Sequence, residues 1–387
     1  MHKLLVLLIL YIINVHANDF VPNKVCKGCH ETIYNEFYDS SHRKSSIYEN
    51  PIHKAVWDKH PDKQKEQYTC AKCHTPTDTK LLEQLKNNEK ALPENSDIQT
   101  QEGISCTYCH SIKNIEEHSS SNKNILSLKE KVFYSASENN REEDNKKYKD
   151  EIALFGLVKN KSGSPFHTID YSNKNFYNGN MCMGCHSHLQ NEHQFDICKT
   201  DMKGAKDEET NCISCHMPKI QGSATSIKIS KEHRFHGFSA MFNDQELLDK
   251  YIKIDFVPKN NGFEISLKNE ASHNLFLHPM RLALLKVTLL RNQKSLALKT
   301  ESFSRVLGDK EKATLPWNAT QELENSMIKA NERRVIFYDT VLQENDKIEV
   351  IFGYYKVNPA IVNGLELQNN EESTRFNILQ TKHFSAQ

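Results

Sequence analysis

Five times in 387 residues a cysteine is followed after two residues by a second cysteine and then at once by a histidine. The five are Cys26-Lys27-Gly28-Cys29-His30, Cys70-Ala71-Lys72-Cys73-His74, Cys106-Thr107-Tyr108-Cys109-His110, Cys182-Met183-Gly184-Cys185-His186 and Cys212-Ile213-Ser214-Cys215-His216, and they take ten of the 11 cysteines. On one helical turn the two thiols and the imidazole fall on the same face. Two thiols so spaced can each add to one vinyl group of a haem, and the next residue then offers its imidazole to the iron. The reading is five covalently attached c-type haems, with His30, His74, His110, His186 and His216 as proximal ligands. A paired cysteine also opens a zinc ribbon, but zinc demands no histidine after every second thiol. A disulfide closed across two residues suits a transient assembly state rather than the finished product.

The rest of the composition agrees. Only 37% of the residues are hydrophobic, against roughly 45–50% in an ordinary globular chain. Porphyrin faces add apolar surface that a count of side chains omits. Fifty basic and 50 acidic residues cancel, so there is no one-signed surface for a nucleic acid or an anionic membrane. Met1 to Ala17 has a short basic start, an apolar run from Leu4 to Ile13 and small residues around His16. That is the layout of a cleaved secretory signal peptide, with an apolar run too short for a stable span. The expected location is the periplasm.

A second axial ligand is needed for each iron that does not bind substrate. Apart from the signal peptide and the five proximal residues, twelve histidines remain: His42, His53, His60, His118, His167, His188, His193, His233, His236, His273, His278 and His383. Only eight methionines compete with them, which favours bis-histidine irons.

Several stretches beyond the signatures resemble the multihaem cytochrome c family typified by cytochrome c-554. Ile33, Tyr34, Phe37 and Tyr38 share a helical face and lead to Ser40-Ser41-His42, similar to the family's Ser-x-His element. Gly103-Ile104-Ser105 is similar to the lead-in to a signature, and Ser164-Pro165-Phe166-His167 resembles a Pro-Phe-His segment. His233-Arg234-Phe235-His236-Gly237 and Asn269-Glu270-Ala271-Ser272-His273 resemble two further ligand-bearing stretches, the second without the family's glycine. The resemblance implies distal ligands at His42, His167, His233 and His273, with His236 the local rival of His233. His118, His188, His193, His53 and His60 are further candidates, and His383 is expected in solvent.

Every cysteine lies before residue 245. The fold class expected is α+β: a mainly helical and looped pentahaem domain over 18–249, then a β-sandwich over 250–387. Successive proximal histidines are 44, 36, 76 and 30 residues apart, and the polar stretch Ser119 to Lys149 in the longest gap is expected to be an exposed insertion. Period-two patterns at Tyr251–Phe256, Phe263–Leu267, Leu282–Leu290, Ser295–Lys299, Arg334–Asp339 and Lys347–Tyr355 read as strands, the first two forming a hairpin.

The function expected is electron transfer along closely spaced haems, between redox partner proteins of the periplasm or its membrane. The other reading is an oxidoreductase acting on a small nitrogen or sulfur compound at a five-coordinate iron. Unpaired Cys198 leaves three roles open: a plain thiol, an intermolecular disulfide partner or an axial thiolate.

Overall fold

The computed structural model describes residues 20–127, 132–137, 141, 148–153, 158–200, 209–240 and 244–386. The signal peptide expected at the N-terminus lies outside the described residues. No helix among the described residues is long and apolar enough to cross a membrane.

Up to Tyr251 the described residues form short helices and two-stranded ribbons. The longest helix there, Pro51–Lys59, has nine residues. Side-chain caps start several of the helices by accepting otherwise unpaired backbone N–H groups. Asn50 caps Pro51–Lys59, Asp78 caps Thr79–Lys86 and Ser105 caps Cys106–His110. Asn211 forms a reciprocal capping box with Ser214 on Cys212–His216. Three signatures thus enter helices at Ala71–His74, Cys106–His110 and Cys212–His216, and a fourth at Met183–His186. The first begins inside the short helix Asn23–Lys27, and His30 N–H donates to Cys26 O at 2.9 Å.

Side-chain cores in this region are small. Trp57, Tyr68, Ile47 and Leu81 pack beside the second signature, and Phe20, Ile104, Tyr108 and Ile112 beside the third. In the expected exposed insertion Ser119 to Lys149 the described residues are exposed or half-buried except Val132 and Tyr134, but they form ribbons rather than a plain loop. Lys123–Leu126 pairs with Ile112–Glu116, and Val132–Tyr134 runs parallel to Thr168–Asp170 with Val132 and Tyr134 buried. The polar composition concealed these ribbons because Lys123–Leu126 buries no side chain and Val132–Tyr134 only two.

From Ile252 on, antiparallel strands form a sandwich, giving the α+β class. One sheet has the order Ile252–Lys259, Gly262–Asn269, Arg333–Tyr338. The other has the order Lys294–Ala297, Leu282–Arg291, Lys347–Tyr355, Phe376–Ser385, with Glu301–Phe303 also on Leu282–Arg291. Ala283, Leu285, Val287 and Leu289 alternate inward and meet Ile254, Ile265 and Leu267 of the facing sheet in one apolar core.

Phe376–Ser385 escapes the pattern search because its register shifts opposite Phe352 and Gly353, burying the adjacent residues Leu379 and Gln380. A small third sheet, Lys312–Ala313, Arg305–Asp309 and Gln321–Asn325, leans on the helical region. There Arg305 donates to the Asp196 and Ile197 carbonyls, and Asn191 to those of Pro316 and Ala319. Apolar packing of Ala55 with Met280, Val357 and Leu365 makes a second junction.

Candidate haem centres

All ten signature cysteines are half-buried free thiols, and they converge in space. The Cys26 thiol lies against that of Cys106, Cys73 against Cys185, and Cys182 against Cys212. Cys109 lies within electrostatic reach of both Cys182 and Cys185. The signatures are therefore linked first to third to fourth, with the second and fifth both set against the fourth. Burial raises the Cys70 and Cys109 thiols to about 12, so they stay protonated and uncharged at neutral pH.

The histidines come together in pairs. Two imidazoles bound on opposite faces of one iron through bonds of about 2.0 Å, with each ring centre about 1 Å beyond its nitrogen, lie about 6 Å apart. Ring centroids of His30 and His167 are 6.4 Å apart and nearly parallel at 28°. His110 and His236 are 6.3 Å apart at 18°, and His216 and His273 are 6.1 Å apart at 21°. His42 and His186 are 5.9 Å apart with crossed planes at 88°. Each of these four pairs joins a signature histidine to one distant in sequence.

Hydrogen bonds orient the rings. Nδ1 donates from His30 to Ala224 O, from His110 to Tyr134 O and from His216 to Ser239 O, at 2.6–2.8 Å. On the opposite side His236 Nδ1 donates to Arg234 O at 2.7 Å and His273 Nδ1 to Asn274 O at 2.9 Å. A proton fixed on Nδ1 leaves the Nε2 lone pair for a metal. Burial lowers His42 and His236 to about 3, which keeps them neutral, the form a ligand needs. The buried Nδ1 of His42 has no protein partner.

His233 differs. Its Nδ1 donates to Gly222 O at 3.0 Å and its Nε2 to Glu36 Oε1 at 2.7 Å, leaving no lone pair for iron. The other Glu36 oxygen accepts from the backbone N–H of His236 at 2.9 Å. Glu36 therefore anchors this segment so that His236, not the expected His233, faces His110. Nothing in the pattern around Glu36 marks that role.

His273 is brought to His216 by Asn269, a fully buried side chain at the end of Gly262–Asn269. Its amide donates to the carbonyls of His273, Ile328 and Lys329 and its oxygen accepts from Ala271 N–H. The sandwich in this way presents a histidine to the fifth signature.

The second signature has a different neighbour. The His74 ring meets His53 at a centroid distance of 3.9 Å, too short for an iron between them. His53 donates from Nδ1 to Ser45 O, and Tyr68 hydroxyl faces its Nε2 at 3.4 Å. His278 and Cys198 are close to the same signature, His278 within electrostatic reach of His74 and Cys198 of Cys73.

The remaining candidates are engaged elsewhere. His60 and His118 accept at Nδ1 from the backbone N–H two residues on, and His188 Nε2 donates to the carbonyls of His118 and Ser119. His193 and His383 are exposed.

Paired imidazoles about 6 Å apart, with two free thiols beside the signature histidine of each pair, are the donor set of a covalently held haem and fit that group. Haem supplies a reversible iron redox couple, and these residues hold, orient and shield it.

Residues 25–111 match the family described as cytochrome c554 and c-prime. No curated protein is similar enough in sequence to match. Among solved structures, the penta-heme cytochrome c552 from Thermochromatium tepidum shares the fold with a TM-score of 0.69. The sequences are 18% identical, and the likeness covers 95% of this chain and 99% of that one. The segment 25–111 is thus similar to a haem-binding cytochrome family. Over nearly its whole length the chain shares the fold of a multihaem cytochrome c.

Proposed function

We propose that the protein is a periplasmic cytochrome that carries electrons through five covalently attached haems, one on each signature. The observation that carries this reading is the set of four histidine pairs at iron-spanning distance, beside thiols that touch between signatures. Haems attached to touching cysteines are near neighbours, and near neighbours exchange electrons rapidly. His30, His74, His110, His186 and His216 serve as proximal ligands, opposed in four cases by His167, His236, His42 and His273. Redox proteins of the periplasm or its membrane are the expected donors and acceptors, and each docks over a different end of the array.

A second reading, catalysis on a small nitrogen or sulfur compound, has one observation in its favour. His74 alone among the five lacks a histidine opposite it at about 6 Å. Electron transfer remains the better-supported function, because four of five positions are built as closed pairs.

The mass of the mature holo-protein tests the count. Five haem increments above the polypeptide mass are expected. Four or fewer on a fully loaded sample would contradict the assignment of at least one signature.

A further inference from the structure

The three most exposed large apolar side chains among the described residues are Ile229 at 76%, Phe166 at 74% and Val25 at 65%. They belong to three separate segments, and all three segments meet at the first signature. Val25 adjoins Cys26 in Asn23–Lys27. Phe166 adjoins His167, whose ring centroid is 6.4 Å from that of His30. Ile229 lies in the loop between Lys219–Gln221 and Glu232–Arg234. That loop is tied to the signature twice, by Ser226 N–H donating to Cys29 O at 2.9 Å and by His30 Nδ1 donating to Ala224 O at 2.8 Å.

The loop is closed on itself. Gly222 N–H donates to Lys231 O at 2.8 Å, and the Ser223 hydroxyl accepts from Ser230 N–H at 2.9 Å and donates to Thr225 O at 2.8 Å. Ile229 is thus displayed to solvent by an ordered turn rather than by a fraying end. Single exposed apolar residues are ordinary on any surface, but several gathered at one place mark a contact site.

Charges that cancel over the whole chain do not cancel here. Lys24 and Lys27 flank Val25 and Cys26, and Lys228 and Lys231 flank Ile229. In 21–31 and 222–232 these four lysines face two carboxylates, Glu31 and Glu232, and 163–168 carries neither sign. Lys24, Lys228 and Lys231 are exposed, and the Lys27 ammonium lies 5.2 Å from the centre of the Tyr34 ring. No carboxylate among the described residues pairs with any of the four, whereas Lys44, Lys54, Lys63 and Lys80 each pair with one.

We propose that this face is the docking site of a small acidic redox protein, with Val25, Phe166 and Ile229 as its apolar centre and the four lysines as its rim. An apolar centre excludes water, and a rim of one sign draws in a partner of the other and sets the rate of encounter more than the strength of binding. Weak electron-transfer contacts bury less than about 1,200 Å² in total, which suits a face centred on three side chains. The proposal deepens the electron-transfer reading and rests on Cys26, Cys29 and His30 holding a haem.

The test is stopped-flow reduction of the oxidised five-haem protein by flavodoxin hydroquinone, a small acidic donor. One electron leaves the anionic flavin hydroquinone, which becomes the neutral semiquinone, and turns one ferric haem ferrous. The second-order rate should fall about tenfold or more between low ionic strength and about 0.5 M salt. Changing Lys24, Lys27, Lys228 and Lys231 together to glutamate should lower the low-salt rate about tenfold or more and abolish its fall with salt. The same change of net charge on exposed lysines of the sandwich region, at Lys294, Lys310, Lys312 and Lys347, should alter the rate much less. Ile229→Ser should slow the reaction at high salt as well, where the rim is screened. Haem number is checked by mass in every variant. Should the fourfold variant lose haem, Lys228→Glu with Lys231→Glu reports the same loss at reduced size.

Equal losses from the two fourfold variants, or a rate indifferent to the first, would overturn the docking face and leave electron transfer standing. Loss of binding to phosphatidylglycerol vesicles with no effect on the flavodoxin rate would give the face to a membrane surface and overturn the proposal as well. Haems that dithionite fails to reduce would instead remove the electron-transfer reading itself.

Discussion

The two regions of the molecule solve the problem of a core in different ways. The sandwich gathers twenty buried apolar residues into one cluster, from Leu248 to Leu379. Before Leu248 the largest such cluster among the described residues has six members, and it sits against a signature. Helices of nine residues or fewer there are too short to be stable alone, and the region converges on cysteine and histidine. The first region is organised around the cofactors it is proposed to hold, and the second around its own side chains. Apolar fraction averaged over the whole chain hides that division.

The strongest way to break this comparison is to block haem attachment by changing all ten signature cysteines to alanine in the full chain. Amide hydrogen exchange should then show protection lost across residues 20 to 240 and kept in Gly262–Asn269, Leu282–Arg291 and Lys347–Tyr355. Native-like protection in the helical region would refute the idea of a cofactor core.

The converse substitution is Phe352→Ala, which removes a ring packed against Phe276 and Phe303. A stability loss of about 3–5 kcal/mol is expected for the sandwich in denaturant unfolding. Haem absorbance should be unchanged under native conditions. A change of haem spin state in that variant would mean that the two regions are not separate cores.

A smaller effect, limited to one iron, distinguishes two neighbouring histidines. His236→Ala should convert one low-spin iron to high-spin, seen in the visible spectrum. His233→Ala should leave every iron low-spin that was so before, while weakening the hold of Glu36 on the segment. The opposite result would restore His233 as the ligand.

These cases also mark what the sequence could and could not disclose. Haem signatures are legible because attachment chemistry requires a fixed local spacing. The strands Leu282–Arg291 and Lys347–Tyr355 are legible because one buried face imposes alternation. Pairings across the fold are a different matter. The choice between His233 and His236 depends on Glu36 and Gly222, which lie far from His236 in sequence or mark no motif. Tyr134, Ala224 and Ser239 act through backbone carbonyls, so their side chains carry no signal. Val132–Tyr134 was hidden in a polar stretch because two buried side chains make no pattern.

The central claim is that the histidine pairs seen here are the axial pairs of bound irons. Electron paramagnetic resonance of the fully oxidised five-haem protein tests it most directly. Four closed pairs predict low-spin ferric signals from at least four irons, with the crossed pair His42 and His186 giving a signal distinct from the three near-parallel pairs. High-spin signal should amount to no more than one iron, the one at His74. High-spin ferric iron equivalent to two or more haems would contradict the account.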